Sequence, residues 1–341
     1  MIEAWYHDRV NVLQDLFVKR APVSVPSPFD RAEWYALLAE TGLTPLIAIA
    51  SDAENAAALA LVEEAGRITP LRNWYSFTWR QLAPEGAHGD RLLREIALQL
   101  KSRAHRVTLE PVPDEDHSAS RLARAFTAAG WRVEVTKCDT NHILQSERLS
   151  FADYWAARPG QLRTTLKRKG KRVKTKVLTY FDDKLWDQYE QIYAASWKPS
   201  EDQPAMLRQF ARQEGAAGRL RFAMAWHKDE PVAAQCWTVE DGTAFIHKLA
   251  YLESAKNLSA GTTLSAALFE HVLDIDKVSL VDFGTGDQSY KADWMNAVRP
   301  RYRLDCLNMR NPRAWLDLVR LTANRLQAAQ VPELAPAPPR V

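Results

Sequence analysis

Residues 243–272, TAFIHKLAYLESAKNLSAGTTLSAALFEHV, decide the fold, because they read as a strand, a polar loop and a helix in direct succession. Alternation predicts a strand with Phe245, His247, Leu249 and Tyr251 on one face and Ile246 and Lys248 on the other. Lys256, Asn257, Ser259 and Gly261 follow as a polar loop, and a helix opens at Thr262-Thr263 with no acidic residue in its first turn. Helix starts leave backbone N–H groups without partners and carry roughly half a positive charge, so small residues there let an anion approach the backbone. A pyrophosphate cradle fits this pattern. An ordinary joint capped by serine or glycine fits it too, and spacing alone leaves both open.

Downstream, 278–295 reads VSLVDFGTGDQSYKADWM. A strand ends in Gly284-Thr285-Gly286, and Asp282, Asp287, Tyr290, Lys291, Asp293 and Trp294 crowd around that end. Functional groups gather at the carboxyl ends of strands in α/β sheets, although a turn followed by a surface helix reads the same way. The DFG tripeptide matches a kinase motif, but no GxGxxG loop, HRD segment or P-loop accompanies it, and GTG alone is too short for a dinucleotide fingerprint.

Upstream, LRFAMAWHKDE and PVAAQCWTVEDG give two further strands with turns at Lys228-Asp229-Glu230 and Asp241-Gly242, and RYRLDCLNM closes the series. The first half repeats the order. TPLIAIAS, AAALALVEEAG and RNWYSFTWRQL are extended or apolar, followed by helix DRLLREIALQLKS, strand RVTLEPV, helix SASRLARAFTAAG and strand RVEVTKC. One α/β plan used twice, with a boundary near residue 150, accounts for this order. The first-half helix places Asp90 at its start, where a carboxylate competes with phosphate, so a phosphorylated ligand is expected only in the second half. Between the halves, 151–177 carries nine Lys and Arg residues and no acid after Asp153. Arg163, Lys167 and Lys171 would align on one helix face. They form a solvated surface or a site for an acidic small molecule, a lipid headgroup or RNA, without the interleaved aromatics of a stacking platform. KLWDQYEQIYAASW and PAMLRQFARQEGAAG then read as amphipathic helices, with Leu185, Tyr189, Ile192 and Trp197 on or near one apolar face. A last helix is capped by Asn311 and bears Trp315, Leu318, Leu321 and Leu326, and the proline-rich 329–341 is expected to be a disordered tail.

The chain has 341 residues, 46% hydrophobic and 26% charged, which suits two globular domains. Its net charge of +3 does not argue for wrapping duplex DNA. Cys138, Cys236 and Cys306 stand singly, which excludes a disulfide framework and fits a reducing compartment. Neither a leader nor an apolar run of ~18 residues is present, so a cytoplasmic protein without a membrane span is expected. The eight histidines contain no HExxH and no i, i+4 pair, and no GxSxG elbow occurs, so neither a metal site nor a serine hydrolase is expected.

The segments VAAQCWTV, TAFIHKLAY, AKNLSAGTTLSAAL and VDFGTGDQSYKADWM resemble the GNAT superfamily of acyl-CoA transferases. The likeness is greatest to its CelD-like, cellulose-biosynthesis-associated subgroup, distant relatives of Fem-type aminoacyltransferases. It runs over 151–309 and weakens in the first half. It implies an α/β (α+β) chain of two tandem GNAT-type domains, each a mixed, mostly antiparallel sheet flanked by helices, with 1–150 degenerate and 151–328 catalytic. Two strands, ending near Tyr251 and Phe283, would splay to admit a pantetheine arm. Leu249, Ala250 and Tyr251 would receive that arm. Asn257, Leu258, Ser259, Ala260, Gly261, Thr262 and Thr263 would hold the pyrophosphate, with Lys291 balancing charge. The loop departs from the superfamily's Q/R-x-x-G-x-G/A in keeping one glycine.

An amine attacks a thioester only when neutral, so a base must take its proton. His247 is the expected base, with a packed strand histidine as the other reading of that residue. Tyr290 is the expected acid and Asp287 an orienting group or alternative base. Trp197, Lys248, Asp282 and Trp294 are the expected acceptor contacts. The implied co-substrate is acetyl-CoA or another acyl-CoA, without a metal. The implied acceptor is a small-molecule or glycan amine, such as an amino sugar, amino acid or polysaccharide precursor. One alternative is Fem-type transfer from aminoacyl-tRNA, which the basic run supports and the absence of a heptad-rich arm opposes. Another is a non-catalytic protein binding a CoA ester or an anionic polymer. A nucleic-acid partner is expected only under the tRNA alternative.

Overall fold

A computed structural model describes residues 1–19 and 27–330; of the tail expected at 329–341, residues 329 and 330 belong to the last helix and the rest lies outside the described residues. Among the described residues, twelve strands form one sheet. They are β1 (Glu3–His7), β2 (Pro45–Ser51), β3 (Ala56–Glu64), β4 (Arg67–Pro70), β5 (Arg106–Val112), β6 (Arg132–Gln145), β7 (Lys174–Leu178), β8 (Leu220–His227), β9 (Glu230–Glu240), β10 (Thr243–Tyr251), β11 (Leu280–Thr285) and β12 (Ala297–Leu307). Their spatial order is β1-β2-β3-β4-β5-β12-β6-β11-β10-β9-β8-β7. Exchanging each strand with the one six places later in the chain reverses this order and leaves it otherwise unchanged. The plan read twice in sequence is thus laid down twice in space, as a mixed and mostly antiparallel sheet. Its two parallel pairs, β4–β5 and β10–β11, occupy equivalent places.

The last strands are traded between the halves. β12 pairs with β5, β6 pairs with β11, and β6 and β12 pair with each other from Ala297↔Ile143 to Leu307↔Arg132. The helices are α1 (Asn11–Lys19), α2 (Ala32–Ala39), α3 (Gly86–Leu100), α4 (Ser118–Ala128), α5 (Phe151–Ala156), α6 (Gly160–Lys169), α7 (Asp183–Ala194), α8 (Pro204–Ala216), α9 (Ala260–Glu270) and α10 (Arg313–Gln330). On one side of β8–β10, Trp186 and Tyr189 of α7 and Phe210 of α8 pack with Phe222, Cys236 and Ala250. On the other, Leu264 and Phe269 of α9 pack with Trp237 and Ile246. Of these, each Leu, Ile or Phe side chain contributes about 1.5–3 kcal/mol by leaving water.

Several local readings change. Residues 71–83 are mostly irregular rather than a third strand, and β1, α1 and α2 precede the segments read as regular. The basic stretch splits into α6, a 3-10 turn at Gly170–Arg172 and β7, so Lys171 does not continue the helical face of Arg163 and Lys167. On α10, Ala314 and Asp317 face inward while Trp315 is exposed, because Asp317 Oδ1 pairs with Arg67 at 2.7 Å and Oδ2 with His105 at 3.3 Å. Asn311 does cap this helix, its side chain accepting from the Arg313 N–H at 3.1 Å.

Where the halves meet, Asp282 of β11 is buried among cations. Its Oδ2 accepts from Arg299 Nη2 at 2.7 Å, and its Oδ1 accepts from the Asn141 amide and the Gly284 N–H, each at 2.7 Å. Glu115 clamps Arg299 and Arg301 from the first half, at 2.9 Å each. Burial opposes the Asp282 charge, but Arg299, Arg301 and the hydrogen bonds outweigh it and hold the carboxyl below the usual range. Asp282→Ala should therefore leave Arg299 Nη2 and the Asn141 amide without their buried acceptor and cost about 3–5 kcal/mol, read as a lowered urea midpoint.

Candidate active site

β10 and β11 pair in parallel only from Thr243↔Leu280 to Phe245↔Asp282. Beyond that, β10 continues to Tyr251 beside β9 alone, while β11 stays with β6 and shifts register between Asp282 and Thr285. A notch opens between the two strands, where the sequence reading expected a splayed pair. Gly284, at φ +69°, bends β11 at this point, and the Phe77 ring lies where its side chain would be.

A bulge in β10 corrects the expected faces. Register shifts between Ile246 and Lys248, so that Ile246 opposes Trp237 while Lys248 opposes Cys236. Lys248 therefore shares the face of Phe245, and Leu249 and Tyr251 turn to the α9 side. His247 sits at the bulge with ring centroids of Phe210, Phe77 and Phe29 at 5.1, 5.4 and 5.8 Å, and its Nε2 is 2.7 Å from Thr238 Oγ1. Desolvation among these rings lowers its pKa to about 3. The imidazole packs, and at that pKa it is a poor acceptor for an amine's proton.

The α9 start leaves backbone donors without helical partners. Ser259 precedes it at φ 54°, ψ 40°, and the first helical bond runs from the Thr263 N–H to the Ser259 carbonyl at 3.0 Å. The N–H groups of Ala260, Gly261 and Thr262 come before that bond, and no acid lies in the first turn. Lys169, at the end of α6, reaches Ser259 Oγ with its Nζ at 3.2 Å. Gln235 of β9 fixes the turn from below, donating to the Gly261 carbonyl at 3.2 Å and Ser265 Oγ at 2.7 Å. Tyr251 lies against Gly261, where a Cβ would meet its ring at 3.4 Å, and interacts electrostatically with Tyr290. The strand end, the helix start and the turn after β11 therefore converge on Tyr251. Leu249 and Ala250 lead into this point, and Asn257 and Leu258 belong to the 3-10 turn before Ser259.

Tyr290 is half-exposed, packs edge-on against Phe283 at 5.8 Å, and desolvation together with Tyr251 raises its pKa. Asp287 is exposed and lies 2.7 Å from Nε2 of the buried His142. Lys291 is buried. Its Nζ donates to the carbonyls of Thr285 at 2.5 Å and Gly286 at 3.1 Å, and burial, partly offset by Asp139, Asp282 and Asp287, lowers its pKa to about 8. It braces the loop after β11. Trp294 is 6% exposed and stacks on Phe269 at 5.1 Å, so its indole is committed to the core, as the Asp282 carboxylate is to the seam. Trp197 is 62% exposed beyond the end of α7, and Lys248 is bonded to Glu201 at 2.8 Å. Sequence reading did not single out Lys169 within its basic run, nor Gln235, His142, Phe77 or Glu201, whose partners lie far away in the chain.

The equivalent place in the first half is closed. α3 begins at Gly86, so Asp90 lies past the first turn, where Arg121 engages it at 2.7 Å, rather than at the helix start. The same guanidinium donates to the Pro84 carbonyl at 2.6 Å, and a Cβ on Gly89 would fall 1.9 Å from that oxygen. The chain itself fills the space before α3.

Residues 160–292 match the acetyltransferase (GNAT) domain. The matched GNAT segment holds α6, Lys169, the notch, the α9 start and Tyr290. No curated protein matches the chain. Among solved structures it resembles the C-terminal DUF2156 domain of a putative lysylphosphatidylglycerol synthetase from Agrobacterium fabrum, with TM-score 0.58, 13% identity and coverage of 92% of this chain and 95% of that one. L-PGS from Bacillus licheniformis gives 0.58, 12%, 94% and 97%, and FemX gives 0.59, 9%, 88% and 96%. At these identities the likeness is one of fold alone, and the GNAT match itself is confined to residues 160–292. Among the described residues no helix is long and apolar enough to cross a membrane, and no group of three or more His, Cys, Asp or Glu could hold a metal.

Because the unfolded chain protonates His247 near pH 6.5 and the folded chain only near 3, the stability of the neutral form drains away as pH falls through that window. His247→Phe should lose less thermal stability than the native protein between pH 7 and 4, as measured by melting temperature.

Proposed function

We propose that the protein is a cytoplasmic N-acyltransferase that moves an acyl group, most simply acetyl, from a CoA thioester to an amine. The observation that carries this reading is the notch beside β10 opening onto the acid-free start of α9. Three unbonded N–H groups and the Lys169 ammonium there suit a diphosphate, and the unpaired β10 edge at Leu249–Tyr251 suits a pantetheine amide. The bound thioester supplies an activated carbonyl. Catalytic duty belongs to the second half, since the chain blocks the matching place in the first.

The amine must lose a proton as it attacks and the departing sulfur must gain one. We assign the first to Asp287 with His142 behind it, rather than to the enclosed His247. Tyr290 supplies the second, its raised pKa keeping the phenol protonated at neutral pH. The C–N bond forms, the C–S bond breaks, and an amide and a free thiol leave. Holding the two reactants together can supply ~7–11 kcal/mol, so no single side chain carries the reaction. The CelD-like resemblance suggests an amino sugar or polysaccharide precursor as acceptor, alongside an amino acid.

A second reading, transfer from aminoacyl-tRNA, is supported by Arg168, Lys171, Arg172 and Lys176, exposed cations without carboxylate partners among the described residues, and by fold neighbours that include FemX. Retention of tRNA that collapses with salt, in the absence of any CoA effect, would favour it.

Acetyl-CoA should raise the melting temperature and release free thiol with members of an amine panel. Gly261→Glu should abolish both effects, because its Cβ fits beside Tyr251 while the carboxylate repels phosphate. Tyr290→Phe should lower kcat by about ten- to a hundredfold and leave the thermal shift intact. Unchanged CoA affinity in the glutamate variant would refute the assignment of the loop.

A further inference from the structure

On the Phe245 face of β10, two ammonium groups lie near one carboxylate, and one of them is bonded to it. Lys248 Nζ donates to Glu201 Oε1 at 2.8 Å and lies 4.2 Å from the centre of the Tyr75 ring. The same oxygen accepts from the Tyr75 hydroxyl at 2.8 Å, and Oε2 accepts from Tyr189 at 3.3 Å. Glu201 is thereby saturated. Lys198 Nζ faces the Tyr193 ring at 5.7 Å, within electrostatic reach of Lys248, and is paired with no carboxylate among the described residues. Burial and Lys248 lower its pKa to about 8, so it is charged at neutral pH. Asp202, the other acid on this loop, is exposed and lies within electrostatic reach of Lys248 and Tyr75. Lys198 and Lys248 against Glu201 leave one excess positive charge in the enclosed set, which the solvated Asp202 offsets only in part and a bound anion would relieve.

We propose that Lys198 and Lys248 form an acceptor subsite for a carboxylate, so that the amine substrate is an amino acid or a derivative that keeps its acid group. This rests on the acyltransferase reading for the presence of an acceptor. One excess charge matches a carboxylate better than a dianionic phosphate ester. The location supports the assignment, since Lys248 stands on the strand that borders the notch. Tyr75, on the connection between β4 and α3, and Lys198 with Glu201, between α7 and α8, close over it from both halves. The exposed indoles of Trp74 and Trp197, next in the chain to Tyr75 and Lys198, offer ring surface for the rest of such a substrate.

The test is calorimetric titration of the full chain with N-acetyl amino acids, their amides and N-acetylglucosamine 6-phosphate, with the acetyl-CoA thermal shift measured in parallel. At least one acid should bind tenfold or more tighter than its own amide. Lys198→Met should erase that preference without changing the thermal shift. Acids and amides that bind alike or not at all, a preference that survives Lys198→Met, or a phosphate that outbinds every acid would overturn the subsite. An acid preference with no response to acetyl-CoA would uphold the subsite and refute the acyltransferase reading instead.

Discussion

The carboxylate of Asp282 decides which neighbour β11 follows. Arg299 of β12 and Asn141 of β6 hold it from one side, and its own Gly284 N–H curls back to it at 2.7 Å. Up to this grip β11 is in register with β10, and beyond it the strand follows β6 to Thr285↔Asn141. Pairing stops at Phe245↔Asp282, and the notch is what remains. An ion-pair network that reads as purely structural thus borders a gap in the sheet into which a linear group could be laid.

The exchange of last strands extends this constraint across the molecule. Because β6 lies beside β11 and β12 beside β5, each half completes the other, and the arginines that hold Asp282 are themselves held by Glu115 of the first half. The two halves then diverge in detail. Before α3, the Pro84 carbonyl and Arg121 occupy the position that, before α9, is left to free N–H groups and Lys169. The first half also contributes loop residues, with Phe77 beside Gly284 and Tyr75 on Glu201. A plan laid down twice thus ends in two unlike helix starts, one closed by the chain itself and one left open.

How much of this was legible in the sequence depends on how local its cause is. β8, β9 and β10 were readable from alternation and from Lys228-Asp229 and Asp241-Gly242, whose positive φ angles match two-residue hairpin turns. The polar, acid-free opening of α9 was readable for the same reason. The strand exchange was not, because pairs such as Arg299↔Asn141 join residues with no pattern in common. The bulge at His247 has no residue signature, and it reversed the faces expected of Lys248, Leu249 and Tyr251. Asp282 and Trp294 looked functional because acids and aromatics cluster after β11, yet the seam and the core use both. Glu201 meets Tyr75 across 126 positions, beyond the reach of any local rule.

The most direct measurement is a crystal structure of the protein soaked with coenzyme A. The account predicts the diphosphate within hydrogen-bonding distance of the Ala260, Gly261 and Thr262 N–H groups, with Lys169 alongside and the pantetheine arm between β10 and β11. A coenzyme bound elsewhere, or a notch that stays filled by Tyr251 and Phe77 at saturating ligand, would contradict it.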